Sequence, residues 1–198
     1  MDQGLELAVV YEPPTALDED LFGLDDAAIR RVVALTLARV GVTLPVELSV
    51  LVTDDARLQA LNREFRGKDE ATDILSFPLL DAPLLEAPED QLWQLPEGDD
   101  GTKDTGVDEE LADETGESAA FPVLEEANLL HLGDIALSRS AVERQAVQAG
   151  HSSAWEFAYV LAHGVLHLVG YDDLTDAGYR AMVAHQEAVL AAMGLPEN

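Results

Sequence analysis

Residues 163–173 read His-Gly-Val-Leu-His-Leu-Val-Gly-Tyr-Asp-Asp, and this stretch decides the prediction of the fold. It closes a segment that is apolar nearly all round, which is typical of a helix buried at the centre of a domain. His163 and His167 are four residues apart, so they share one face of that helix and one cation can bind both imidazoles. Gly170 ends the helix, and a turn there can bring Asp173 back over the same face. The stretch therefore predicts a central, buried, metal-binding helix.

The predicted ligand set indicates a catalytic metal site. Two imidazoles and one carboxylate leave a coordination position open, as in catalytic rather than structural zinc sites. The alternative is that these are two unrelated histidines of the core. Each buried imidazole would then need its own hydrogen-bond partners, so metal binding is favoured. For Asp173 the alternative stays open, because Asp172 and Asp173 also fit the cap of the next helix. A zinc peptidase needs Glu directly after the first His, and Gly164 stands there instead.

Outside this stretch, the pattern of apolar residues predicts the element order β-α-β-α-β, a long insertion, and then β-α-α-α. Strands are predicted at residues 5–11, 46–52, 73–77 and 131–138. Helices are predicted to begin at Asp25 or Asp26, at Thr53 or Asp54, at Ser138, at Ser153 and at Thr175. This order predicts an α+β fold, in which a small mixed sheet of about four strands is covered by about five helices.

Two local assignments follow from side-chain spacing. In the second helix, Leu58, Leu61 and Phe65 are predicted to face the core. In the fourth helix, Ser153 and Glu156 have the spacing of a capping box, with Ser at the N-cap. Both assignments are specific enough to be checked residue by residue.

Three further histidines receive no metal role. His131 enters a strand, and His151 stands in the loop before the capping box. His185 falls off the predicted apolar stripe of the last helix, which includes Tyr179, so we expect His185 at the surface.

The charge of the chain is unevenly distributed. Net charge is −28, which taken alone argues against binding nucleic acid. Residues 79–130, however, hold 16 of the 39 acidic residues and a single basic one. The centre of this insertion, residues 97–118, lacks the apolar surface to offset its ordering entropy, so we expect a flexible acidic loop. Trp93 and residues 121–130 are expected to dock at its two ends.

Basic residues are concentrated elsewhere. Arg57, Arg63, Arg66 and Lys68 fall within twelve residues and supply four of the eleven basic side chains. A local basic surface is therefore compatible with an acidic chain. With no cysteine, thiolate metal ligands are excluded. The start of the chain has no signal-like apolar core, so we expect one cytoplasmic domain over residues 1–198, with no membrane partner.

The motifs together resemble the YbeY endoribonucleases, which are ribosomal RNA maturation factors. Residues 163–172 match the family motif His-Gly-x-Leu-His-Leu-x-Gly-Tyr-Asp-His, whose last position, a third metal-binding His, is Asp173 here. Residues 61–78, 132–135 and 182–195 resemble further family segments. The resemblance covers nearly everything except residues 79–130, which are much longer than the usual family loop.

The resemblance implies bound Zn²⁺ and single-strand-specific cleavage of RNA in maturation and quality control of 16S ribosomal RNA of the small ribosomal subunit. It places His163 and His167 at two metal-binding positions of the family, and we expect Asp173, which stands at the third, to be a ligand through its carboxylate. The two histidines and Arg66 are expected to serve catalysis. Arg63 and Lys68 are expected to assist Arg66 in binding RNA. Two alternatives remain: a metallohydrolase with a non-RNA substrate, and a non-catalytic ribosome-assembly protein whose metal is structural.

Overall fold

The computed structural model describes residues 4–12, 22–94 and 129–195. Its strands are β1 (Leu5–Tyr11), β2 (Val46–Thr53), β3 (Ile74–Pro78) and β4 (Leu130–Ser138). Its helices are α1 (Asp26–Arg39), α2 (Asp55–Arg66), α3 (Arg139–Ala149), α4 (Ser153–Val169) and α5 (Asp176–Met193). A short 3₁₀ turn covers Glu89–Gln91.

The four strands form one mixed sheet in the order β1-β2-β4-β3. β1, β2 and β4 run parallel, whereas β3 pairs antiparallel with β4 and forms an outer strand. Parallel neighbours require a crossover, and α1 and α2 supply the chain between β1, β2 and the later strands. The predicted α+β fold, with four strands and five helices, is confirmed.

The two faces of the sheet pack against different helices. On β2, Val46, Leu48, Val50 and Val52 are buried in the main core, which includes residues of α1, α4 and α5. The opposite face carries a smaller cluster, in which Ala136 of β4 packs with side chains of α2 and β3. Side chains alternate between the two faces along β2, as its sequence predicted. One face of the sheet therefore packs against α4 and the other against α2.

α4 is the centre of the main core. It contacts α1, α3, α5, β3 and β4, and most of its residues are buried. The N-cap prediction at its start was wrong by one position. Ser152 is the N-cap and accepts a hydrogen bond from the Trp155 backbone nitrogen at 3.2 Å, while Ser153 already lies inside the helix. Two adjacent serines offer equivalent hydroxyls, so spacing from Glu156 did not decide between them.

The prediction that Phe65 faces the core was wrong. Leu58 and Leu61 are buried, but Phe65 is 62% exposed. Its ring meets the edge of Phe77 on the outer strand, with the ring centroids 5.4 Å apart. In the described sheet no strand lies beyond β3, so the last turn of α2 extends past the edge of the sheet and has nothing beneath it that would bury Phe65.

Two assignments on the last helix also need correction. Tyr179, expected on the buried stripe, lies in the first turn of α5 and is 57% exposed. His185 is partly buried rather than at the surface, since it packs against the buried ring of Tyr171 with centroids 5.1 Å apart. Its Nε2 lies 3.1 Å from the Tyr171 hydroxyl.

The predicted flexible centre of the insertion, residues 97–118, lies outside the described residues, as do residues 121–128. The start of the insertion is described, and Leu80, Leu84 and Leu85 pack against the main core. Within the described ranges, no helix is long and apolar enough to span a bilayer.

Candidate metal centre

The paired histidines of α4 project from one side of the helix into a shared site. The Nε2 atoms of His163 and His167 lie 3.0 Å apart, and the two ring planes are nearly perpendicular at 86°. Both side chains are about a quarter exposed, so the site is set into the surface of the core and is open to solvent on one side. The four-residue spacing therefore places the imidazoles as predicted.

The tautomer of His167 is fixed by the main chain. Its Nδ1 lies 2.9 Å from the carbonyl oxygen of Tyr171, which can only accept a hydrogen bond. Nδ1 therefore carries the proton, and Nε2 presents a lone pair to the site. Metal-binding histidines usually have such a partner on the second ring nitrogen.

His163 has a side-chain partner, Gln186 of α5. Gln186 is 1% exposed, and its Nε2 donates to the carbonyl oxygen of Tyr159 at 3.2 Å, which fixes the orientation of the amide. The same side chain is hydrogen-bonded to His163. The His167 ring is thus oriented by the main chain, and the His163 ring has the fixed amide of Gln186 beside it.

Asp173 completes a group of three donors. Its Oδ2 lies 3.8 Å from Nε2 of His163, and its Oδ1 lies 3.9 Å from Nε2 of His167. The three ligand atoms all fall within 4.8 Å of one another. Two donors on one tetrahedral metal, with bonds of about 2.0–2.1 Å, lie roughly 3.3 Å apart. The two nitrogens and the carboxylate therefore fit a divalent metal with only a small inward movement of Asp173.

The turn that carries Asp173 is fastened to the start of the insertion. The backbone nitrogen of Trp93 donates to the Gly170 carbonyl at 2.9 Å, and Asp172 nitrogen donates to Gln91 at 3.0 Å. The indole Nε1 of Trp93 donates to the carbonyl oxygen of His167 at 3.2 Å. The docking predicted for Trp93 is confirmed, and it holds the third donor against the end of α4.

Gly164 lets the metal-bearing helix lie directly on the sheet. A Cβ atom at this position would come within 2.7 Å of the Ile74 Cδ1 and 3.1 Å of the Ile135 Cδ1. The first contact is shorter than a Cβ atom makes, so a side chain here would require the methyl end of Ile74 to move and Ile135 to yield by a few tenths of an ångström. The residue after His163 thus serves close packing, and the Glu of a zinc peptidase would meet both isoleucines here.

Burial sets the charge state of the first ligand. It lowers the pKa of His163, and the neighbouring His167 lowers it further, while Asp173 and Gln186 act in the opposite direction. A lowered pKa keeps the imidazole neutral at pH 7, which is the form that binds a metal.

The predicted RNA-binding residues lie apart from the three donors, on the last turn of α2 and the residues after it. Arg66 Nη2 lies 3.4 Å from the Ser76 carbonyl oxygen on β3, the outer strand that also contacts α4. Arg63 is paired with Asp69 at 3.6 Å, and Lys68 is exposed. Arg66 is thus connected to the helix of the metal centre through one strand, not through direct contact with a ligand.

Reasoning from the sequence missed three features near the centre. Gln186 was predicted to be buried but not to orient a ligand; a polar residue inside an apolar stripe was the available signal. Glu156 was assigned to a cap, but its carboxylate is buried and lies 3.1 Å from His151 Nδ1. A cavity beside His163, lined in part by Gln186 and Glu156, arises only when three helices meet.

Comparison with known proteins gives a consistent answer. The family model described as Endoribonuclease YbeY matches residues 23–194, which include every donor and basic residue described above. An Endoribonuclease YbeY of Chloroflexus aggregans is 35% identical over 189 residues, covering 95% of this chain and 99% of that relative. The same protein of Moorella thermoacetica is 36% identical over 170 residues, covering 85% of this chain and 86% of the relative.

A solved structure supports the fold. The solution structure of a Thermotoga maritima protein superposes with a TM-score of 0.50, covering 95% of this chain and 89% of that one. At 20% sequence identity, this likeness concerns the architecture alone.

Proposed function

We propose, because the chain belongs to the Endoribonuclease YbeY family, that it is a zinc-dependent endoribonuclease that cleaves single-stranded RNA. In this proposal the protein acts in the cytoplasm on ribosomal RNA of the small subunit, during 16S maturation and quality control. The observation that carries the proposal is the group of two oriented imidazoles and one carboxylate, lying inside the matched residues and open to solvent.

His163, His167 and Asp173 would hold the metal, and each residue has a distinct task. The Tyr171 carbonyl holds the His167 ring with its Nε2 lone pair toward the site, and burial keeps His163 in its neutral, metal-binding form. When bound, a divalent metal supplies a Lewis acid for a phosphoryl oxygen and lowers the pKa of its water. Asp173 offsets one unit of positive charge there, which a third histidine would not do.

Arg66 is proposed to bind the phosphate that is cleaved. Its guanidinium lies at the outer strand β3, where one hydrogen bond to the Ser76 carbonyl leaves further N–H donors for an anion. Charge builds up on the phosphate oxygens in the transition state, and a forked guanidinium neutralises it better than an ammonium group. Arg63 and Lys68 would extend the positive surface along the backbone of the RNA.

The test combines metal analysis with cleavage assays. The purified protein should contain about one zinc per chain, cleave single-stranded RNA and leave a matched duplex intact. A chelator should abolish cleavage, and added zinc should restore it. Casein, assayed in parallel, should remain uncut because Gly164 stands where a peptidase carries its base. Cleavage of casein without RNA cleavage would overturn the proposal, as would RNA cleavage that survives complete removal of metal.

A further inference from the structure

A cavity of about 300 Å³ opens beside the metal centre, and the roles assigned so far leave it unused. It lies where the start of β3 meets α3, α4 and α5, and His163 forms part of its wall. Small-molecule sites begin at about this volume. Whatever enters the cavity therefore lies next to a metal ligand and is small.

The polar groups of the cavity disfavour a phosphate. Asp73 and Glu156 contribute carboxylates, and none of the described residues that line it is Lys or Arg. The Asp73 carboxylate is held in place by a hydrogen bond of 2.8 Å from Gln145 Nε2. The Oε1 of Gln145 is buried with no hydrogen-bond partner among the described residues. The cavity is thus rich in acceptors and favours a ligand that offers N–H donors.

The remaining walls favour a flat apolar ring. Val160 and Met182 supply aliphatic surface from α4 and α5, and both side chains are otherwise buried. Tyr179 stands at the mouth with 57% of its surface exposed. An aromatic ring at an open edge can stack on a planar heterocycle.

We propose that this cavity binds the base of the nucleotide next to the cleaved phosphate, and that it favours bases with an exocyclic amino group. The inference rests on the proposed function, because it needs an RNA phosphate at the metal centre. It goes further by naming the contact that places the RNA. An unpaired base can leave the strand and enter the cavity, whereas a paired base would first have to be unstacked, which favours single-stranded RNA.

The experiment removes single bases from the RNA and, independently, the Tyr179 ring from the protein. A single-stranded RNA with one mapped cleavage position is prepared intact, and with an abasic ribonucleotide at either nucleotide flanking that position. The zinc-loaded parent, Tyr179→Ala and the matched control Val147→Ala are assayed on each RNA, with zinc content measured throughout. Val147 is 82% exposed on α3 and is not a lining residue, so it controls for loss of surface.

For the parent, one of the two abasic RNAs should be cleaved about tenfold more slowly in kcat/KM, the size expected for loss of one stacked base. In Tyr179→Ala that penalty should shrink to about threefold or less, because the intact RNA is cleaved more slowly while zinc content and the rate on the sensitive abasic RNA stay at the parent values. Replacing the sensitive base by uracil should slow the parent roughly three- to tenfold relative to adenine or cytosine.

Three results would overturn the inference. The first is equal cleavage of intact and abasic RNAs by the parent, and the second is the same abasic penalty in parent and Tyr179→Ala. Either result would leave the proposed endoribonuclease function standing. The third, no cleavage of any RNA by the zinc-loaded parent, would remove both proposals.

Discussion

The end of α4 and the end of α2 carry the two halves of the proposed machinery, and they are built in different ways. At the end of α4, each donor is held by a second contact: His167 by a main-chain carbonyl, His163 by buried Gln186, and the turn before Asp173 by Trp93. At the end of α2, Arg66 makes one long hydrogen bond at an outer strand, and its neighbours are exposed.

This difference matches the demands on each group. Metal ligands must meet at one point within a few tenths of an ångström, so they gain from a scaffold already fixed by the core. A phosphate contact must follow a flexible strand, so a long side chain with free donors is sufficient. Substitutions at the end of α4 should therefore reduce metal binding, whereas substitutions at the end of α2 should reduce the cleavage rate and leave the metal in place.

The largest effect is expected at the histidines. His163→Ala and His167→Ala should each lose stoichiometric zinc and reduce RNA cleavage about 1000-fold or more, because the metal contributes several kcal/mol to transition-state stabilisation. Metal analysis and cleavage rates provide the measurement. His131→Ala is the matched control, since that residue lies on β4 beside Glu47, is nearly half exposed and does not belong to the group of three donors. A variant of either ligand that keeps one tightly bound zinc would refute the assignment.

A somewhat smaller loss is expected at Asp173. Asp173→Ala should weaken zinc binding at least about tenfold, as removal of an anionic donor leaves two imidazoles alone. Asp173→His should retain the metal and shift the pH–rate profile downward, because a neutral donor leaves more positive charge facing the bound water. A competition titration with a zinc-sensitive dye measures the first effect. Unchanged affinity in Asp173→Ala would mean that this residue only supports the turn.

Arg66 should separate rate from metal content. Arg66→Ala is expected to reduce kcat/KM for RNA about 10- to 100-fold with zinc unchanged, as loss of one preorganised donor to a transition-state oxyanion typically does. Arg66→Lys should recover only part of the rate, because the fork is lost. Arg57→Ala, on the first turn of the same helix and paired with Glu12, serves as control. Wild-type rates in Arg66→Ala would place the phosphate contact elsewhere.

The smallest effect is expected at Phe65. Because this ring is mostly in solvent, Phe65→Ala should lower the free energy of unfolding by less than about 1 kcal/mol. Leu58→Ala, two turns earlier on the same side of the helix and fully buried, should cost about 2–5 kcal/mol. Chemical denaturation of both variants measures the contrast. Similar losses in the two variants would indicate that Phe65 packs far more tightly than its exposure suggests.

Periodicity predicted most of the architecture because burial follows it closely. The alternation in β2 and the apolar surface of α4 each reflect the face that packs, and Gly and Ser or Asp positions marked the helix ends. Phe65 was misassigned because spacing on a helix does not reveal where the sheet beneath it ends. In the same way, the spacing of His163 and His167 predicted a shared face, but Gln186 lies far along the chain and could be found only after α5 was docked.

Gly164 has a consequence for how this centre is related to other metal sites on helices. Two histidines four residues apart are also used by zinc peptidases, whose general base follows the first histidine directly. Here that position packs against Ile74 and Ile135, whose methyl groups a side chain would have to displace. An evolutionary route from one chemistry to the other would therefore need the packing of these two isoleucines to change before a glutamate became useful. The two kinds of metal centre therefore share the spacing of their histidine ligands but differ in how the helix packs on the structure beneath it.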